Sequence, residues 1–241
     1  MQIENLPQTI QQCAQVAGLL WQKGWAERNG GNMVLRIGES DVRLLTLEPS
    51  GCVYPCGCSV PLLAGQYFYC KASGHRMRDL ASSPLSYGCI IRISDDGMQY
   101  QVLGSGDLKP TSEITAHLLI HNQLVADGSP NKATLHSHPT TLVALSHIDS
   151  LCKDAELTRI LHEMIPEARL FVPRGINVVP YLEPGSVELA EQTLQAINGC
   201  DIVLWRKHGV LSTGPDMMEA FDNIDIMEKS AEIYWRYHTL I

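Results

Sequence analysis

The chain has 241 residues, 45% of them apolar, enough for a substantial core, and its 18 basic against 26 acidic residues leave a net charge of -8. No run of Lys and Arg could follow a phosphate backbone, so nucleic acid is not an expected partner. The opening MQIENLPQTIQQ has no basic segment followed by an apolar one and no apolar run nears about 18 residues, so no membrane partner is expected and the protein is expected in the cytoplasm.

Apolar residues at Ile10, Ala14, Ala17 and Leu20 or Trp21 predict a one-faced helix over 7 to 25, begun after Pro7 and ending near Gly24. Glu27 to Ile37 passes from turn residues into a β-rich run, a glycine turn feeding a strand. Residues 48 to 65 are rich in Pro, Gly and Cys. They hold Cys52, Cys56 and Cys58, whose C-x3-C-x-C spacing is unlike that of structural zinc sites. A loop or strand pair with incidental cysteines is the first reading, and a thiolate site completed by Cys70 the second. All eight cysteines are expected as free thiols.

Short strands follow at 66 to 71, 88 to 94 and 99 to 103, the last two joined as a hairpin by Ser94-Asp-Asp-Gly97. Thr111-Ser-Glu113 opens a helix to about Ala126, capped by Ser112 or Thr111, with Ile114, Leu118, Leu119 and Leu124 as apolar contacts. Beyond it the pattern predicts strand 133 to 137, helices 139 to 149 and 154 to 164, and strands 169 to 173 and 176 to 180. Helix 186 to 198, strand 201 to 206 and a helix 216 to 239 with Phe221, Ile224, Ala231 and Trp235 on one face complete it. Short strands on hairpin-sized turns favour one α/β domain over residues 1 to 241, built on a central, mainly antiparallel sheet flanked by helices.

His136 and His138 share parity on an extended segment, so both imidazoles face one side and can clasp one cation. Capping the core through hydrogen bonds is the plain alternative. A catalytic zinc takes a third protein ligand and keeps a fourth position open. His208, at the end of a buried strand and followed by Gly209, is the candidate. His117 lies one helical turn after Glu113, within reach of that carboxylate or another ligand, whereas His75, His121, His147, His162 and His238 carry no such signal. Glu113 is either a first-turn acid or a general base beside the metal. Asn29-Gly-Gly-Asn32, and Ala72-Ser-Gly74 with Lys71 and Arg76 nearby, are turns that could cradle a phosphate.

Taken together, ERNGGN (27 to 32), ASG (72 to 74), TSE (111 to 113) with His117, HSH (136 to 138) and LWRKHG (204 to 209) resemble the class II aldolase/adducin family, in order and spacing along nearly the whole chain. The resemblance implies a zinc-dependent lyase. One Zn²⁺ per subunit, held by His136, His138 and His208, would serve reversible cleavage of a ketose 1-phosphate to dihydroxyacetone phosphate and a short aldehyde. It implies Glu113 as the acid/base carboxylate and Asn29, Gly31, Asn32, Ser73, Gly74 and Ser112 as the substrate and phosphate pocket. Glu167 corresponds to a second acidic residue acting at the aldehyde end, from a neighbouring subunit of a homotetramer.

The nearest likeness is to members acting on L-rhamnulose 1-phosphate, whose aldehyde product is L-lactaldehyde. L-fuculose-phosphate aldolase and L-ribulose-5-phosphate 4-epimerase are the alternatives within the family, and a metal-free adducin-like module the one outside catalysis. Two features depart from the pattern: Cys70-Lys71-Ala72 precedes Ser73 where relatives carry Thr and Gly, and the chain ends at Ile241, soon after the last helix, so a supporting tail is expected to be absent.

Overall fold

A computed structural model describes residues 3–104, 107–153 and 155–240. The expected helix start at Asp154 and the chain end at Ile241 lie outside the described residues, as do Met1 and Gln2 of the opening segment. The first periodic segment forms α1 (Gln8–Gln22), with Ile10, Val16, Ala17 and Leu20 buried; Trp21 turns to solvent, so Leu20 is the residue on the inner face.

There follow β1 (Asn32–Ile37), α2 (Glu39–Leu45), β2 (Pro49–Pro55), β3 (Tyr67–Lys71), α3 (Met77–Ser82), α4 (Pro84–Tyr87), β4 (Gly88–Ile93) and β5 (Gln99–Leu103). The second half runs α5 (Ile114–Ala126), β6 (Ala133–Ser137), α6 (Thr140–Leu145), α7 (Glu156–Met164), α8 (Pro166–Phe171), β7 (Ile176–Val179), α9 (Val187–Ile197), β8 (Ile202–Trp205), β9 (Gly209–Gly214) and α10 (Met217–Thr239). The strands join in one sheet in the order β2-β5-β4-β3-β1-β6-β9-β8-β7. Every adjacent pair is antiparallel except β7 with β8.

Central strands are covered on both faces, as their uninterrupted burial requires. Ile202 and Leu204 of β8 join the cluster that contains Leu20 of α1 and Phe221 and Ile224 of α10, while Val203 and Trp205 pack with Ile120 of α5 and Leu189 of α9. The same alternation sends Met33 and Leu35 of β1 one way and Val34 the other, so Asn32, two residues from Val34, shares the face covered by α5.

Several expectations are corrected. Residues 169 to 173 are not a strand: Pro166 occupies the first position of a helix, where its missing N–H costs nothing, and Leu170 and Phe171 are exposed. Of the loop or strand pair expected around the cysteines, residues 49 to 55 form an edge strand, where prolines are tolerated because one row of backbone groups needs no partner. Helix 139 to 149 is confined to Thr140–Leu145. Trp235 is half exposed and lies off the buried face that holds Phe221, Ile224 and Ala231. Strand β9 and the short helices α2, α3 and α4 were not anticipated. Helix α5 begins at Ile114 with no side-chain cap; the Thr111 hydroxyl accepts from the Glu113 amide at 3.3 Å, one step ahead of the helix, and Ser112 does not cap it.

All eight cysteines are unpaired. Burial pushes the Cys56 thiol up to about 12 and the Cys58 thiol up to about 11, opposite to what a thiolate ligand needs. Among the described residues, the thiols of Cys52, Cys56, Cys58 and Cys70 form no cluster that could hold an ion. No described helix is long and apolar enough to cross a membrane.

Candidate active site

The site sits where β1, β6 and the β8–β9 connection end together. His136 lies on β6 opposite Asn32 of β1 on one side and Leu211 of β9 on the other. His138 follows two residues later, held by a backbone bond from its N–H to the Trp25 carbonyl at 2.9 Å. His208 does not end a strand, as its sequence suggested. It lies in the tight turn between β8 and β9, where Lys207 adopts a left-handed backbone (φ 62°) and donates its amide to the Ser146 hydroxyl at 2.8 Å. Gly209 is required just after it. A Cβ there would stand 2.5 Å from the Ser137 carbonyl and within 2.8 Å of the His136 and His138 rings.

The three imidazoles bring ligand atoms within 4.8 Å of one another. His136 donates from Nδ1 to the Val210 carbonyl at 2.8 Å and His138 from Nδ1 to the Glu27 carboxylate at 2.6 Å. With Nδ1 so engaged, Nε2 is the atom each ring can offer to an ion, and these two Nε2 atoms are 3.1 Å apart. Zinc–nitrogen bonds of about 2.0–2.1 Å in tetrahedral geometry place donor atoms at roughly that separation. Burial holds His136 well below the usual imidazole range and His208 at about 4, with neighbouring imidazoles adding to both, so neutral donors are present at neutral pH. The donor set fits Zn²⁺, and one ion per chain is what three converging imidazoles accommodate.

Glu113 faces this group. Its Oε2 lies 3.7 Å from His136 Nε2 and its Oε1 3.7 Å from His208 Nε2. Burial raises its proton affinity, opposed by a 2.6 Å hydrogen bond from the Asn32 amide and by the positive charge of Lys71. Around it a cavity of about 140 Å³ is lined by Asn29, Gly31, Asn32, Ser73, Gly74 and Ser112, together with Gly30, Lys71, Thr111 and the three histidines. Gly31 has φ 69°, and a Cβ on it would stand 3.0 Å from the His136 carbonyl.

Both glycine turns line the cavity, but not all of their amides face it. The Gly30 amide is bonded to the Glu27 carbonyl at 2.7 Å and the Ser73 amide to the Lys109 carbonyl at 2.8 Å, so neither is free for an anion. Lys71, only 2% exposed, donates from Nζ to the Asn29 carbonyl at 2.9 Å, and burial draws its ammonium down to about 8 against the pull of Glu113. Arg76 stands outside the wall, at the start of α3.

Glu167 is the expected site residue that this chain does not bring in. It is exposed on the first turn of α8 and lines no part of the cavity. The His117 ring does not meet the Glu113 carboxylate; the Asn32 side chain stands between them, its Oδ1 2.5 Å from His117 Nε2. Glu27, which orients His138, was overlooked because a single acid in a glycine turn carries no periodic signal.

The sequence over residues 11–235 matches the pattern described as the class II aldolase and adducin N-terminal domain. A rhamnulose-1-phosphate aldolase from Bacteroides thetaiotaomicron is 45% identical over 236 residues, covering 96% of this chain and 88% of that protein. The chain belongs to the class II aldolase and adducin family. A rhamnulose-1-phosphate aldolase from Escherichia coli O157:H7 is 34% identical, covering 91% of this chain and 82% of that one. The crystal structure of a sugar-phosphate aldolase from Thermotoga maritima superposes with a TM-score of 0.82 at 35% identity, covering 97% of this chain and 96% of that one. An L-fuculose-1-phosphate aldolase from Thermus thermophilus, at 18% identity and TM-score 0.61 and covering 95% of this chain and 93% of that one, shares the fold. With its three-histidine cluster, this chain is one of the family's metal-dependent aldolases.

Proposed function

We propose that the protein reversibly cleaves L-rhamnulose 1-phosphate to dihydroxyacetone phosphate and L-lactaldehyde, acting over residues 1 to 241 as one domain in a cytoplasmic homotetramer. The observation that carries this reading is the convergence of three imidazoles beside a buried carboxylate, inside a polar cavity, in a chain 45% identical to a rhamnulose-1-phosphate aldolase.

Breaking the C3–C4 bond leaves an electron pair on C3 that needs an adjacent positive charge. Zn²⁺ held by His136, His138 and His208 supplies that charge as a Lewis acid when bound. Glu113 delivers a proton to C3 in cleavage and removes it from the same carbon of dihydroxyacetone phosphate in synthesis; its burial and its bond from Asn32 keep it poised for both. Asn29, Gly31, Asn32, Ser73, Gly74 and Ser112 receive the phosphorylated end, remote from the broken bond, so that its binding orients the reacting carbons. As the aldehyde forms, the C4 hydroxyl gives up its proton, which Glu167, exposed on α8, accepts directly or through water at the aldehyde end of a neighbouring subunit's cavity.

The test is a coupled assay for dihydroxyacetone phosphate with L-rhamnulose 1-phosphate, L-fuculose 1-phosphate and L-ribulose 5-phosphate. Release chiefly from the first is expected. Release chiefly from the second would reassign the sugar, and no release from either 1-phosphate would overturn the aldolase reading.

A further inference from the structure

Behind Glu113 lies a row of buried polar side chains whose hydrogen bonds can run in only one direction. An ionised carboxylate only accepts, so Asn32 must present its amide NH₂ to Glu113 Oε2, at 2.6 Å. That leaves the Asn32 oxygen facing His117 Nε2 at 2.5 Å, and this ring nitrogen must carry the proton. His117 and His121 are fully buried, and desolvation holds both at about 3, so each ring carries a single N–H. His117 Nδ1 is therefore an acceptor, and the Thr134 hydroxyl, 2.6 Å away, must donate to it rather than to the Val34 carbonyl at 3.2 Å. The Thr134 oxygen is then left to accept from His121 Nε2 at 3.2 Å.

We propose that His117 is a positioning residue for Glu113: fixed as its Nε2–H tautomer by Thr134, it prevents the Asn32 amide from turning over and so keeps an N–H donor on the carboxylate. A flipped amide would set its oxygen against the carboxylate oxygen, two acceptors in contact in a buried site, and Glu113 would swing away from the histidines. Neither His117 nor Thr134 lines the cavity. Their side-chain route to the Glu113 carboxylate runs through Asn32. The consequence for turnover rests on the proposed role of Glu113, whereas the direction of the hydrogen bonds does not.

The direction is read by ¹⁵N NMR of the protein labelled on its histidine rings. At pH 8 His117 should appear as the neutral Nε2–H tautomer, and an Nδ1–H tautomer would overturn the proposal whatever the enzyme does. The functional part is read from substitutions. Gln presents an acceptor and a donor about as far apart as the two ring nitrogens, so His117→Gln should keep kcat within threefold of wild type. His117→Met should lower kcat at least tenfold with zinc content per chain unchanged by elemental analysis. In an Asn32→Ala background the same His117→Met change should lower kcat no further.

Thr134→Val, which keeps the shape and removes the hydroxyl, should lower kcat at least threefold and serves if His117→Met does not fold. Wild-type kcat in Thr134→Val, or a full tenfold loss from His117→Met on top of Asn32→Ala, would show that His117 does not act through Asn32. Wild-type enzyme assayed in parallel separates the claims. If it is inactive on every sugar phosphate while His117 shows the Nε2–H tautomer, the aldolase reading falls and the oriented hydrogen bonds stand.

Discussion

Lowering the pH from 8 to 5 is expected to cost the fold several kcal/mol through two histidines that have no room for a second proton. His117 and His121 are 0% and 1% exposed, and burial holds both at about 3, whereas an imidazole in an unfolded chain titrates at 6.5. Between those values the unfolded chain binds more protons than the folded one. Stability is therefore complete above about pH 6.5 and falls as the pH is lowered toward 3. At pH 5 the unfolded chain holds nearly one proton on each ring, and the loss is about 2 kcal/mol per histidine, about 4 kcal/mol for the pair.

That is a large share of a typical net stability of roughly 5–15 kcal/mol. Urea unfolding at pH 8 and pH 5, at equal protein concentration, measures the total. Comparison with His117→Gln isolates one ring, because the metal-ligating histidines are common to both proteins and cancel. The variant should lose about 2 kcal/mol less than wild type between the two pH values. Equal losses in the two proteins would show that His117 gains its proton without unfolding, and the account of its buried neutral state would be wrong.

Glu113→Gln should retain zinc by elemental analysis and lose at least about 10²-fold in turnover, the lower range for a general acid–base group; near-normal turnover removes Glu113 from the reaction. His208→Ala should lower zinc content and activity together, and full zinc occupancy would contradict its place in the ligand set. Gly209→Ala should lower both zinc content and the melting temperature, since its methyl group meets the backbone of β6 as well as two ligand rings; unchanged values would mean that the β8–β9 turn can move aside. Glu228, 2% exposed, accepts from the Thr141 and Leu142 amides at 2.7 and 2.8 Å, and Glu228→Ala should destabilise the protein by about 1–3 kcal/mol in urea titrations by stranding those donors at the start of α6.

What could be read from the residues alone followed from local periodicity. The parity of His136 and His138 placed two imidazoles on one face, and the apolar spacing of α1, α5, α9 and α10 located those helices closely. Helices of four to seven residues, such as α2, α3 and α4, span too little chain for a period to show. Strand β9 was hidden because Ser212 and Thr213 interrupt its apolar character, although both are buried beside β6 and β8. The apolar Leu170-Phe171-Val172 suggested a strand where Pro166, four residues earlier, was the more telling signal for a helix start. The hydrogen bonds through Asn32 had only the four-residue spacing of Glu113 and His117 to announce them. Their middle member comes from β1, brought there by tertiary pairing that no local pattern encodes.

The pairing of β1 with β6 sets Asn32 opposite His136, partners separated by roughly a hundred residues of chain. Closing so long a loop is entropically slow compared with forming the β4–β5 hairpin or winding α1 and α10. During refolding, helical signal should therefore return well before zinc is captured tightly. A newly made chain would become an enzyme late, once these two distant central strands have met.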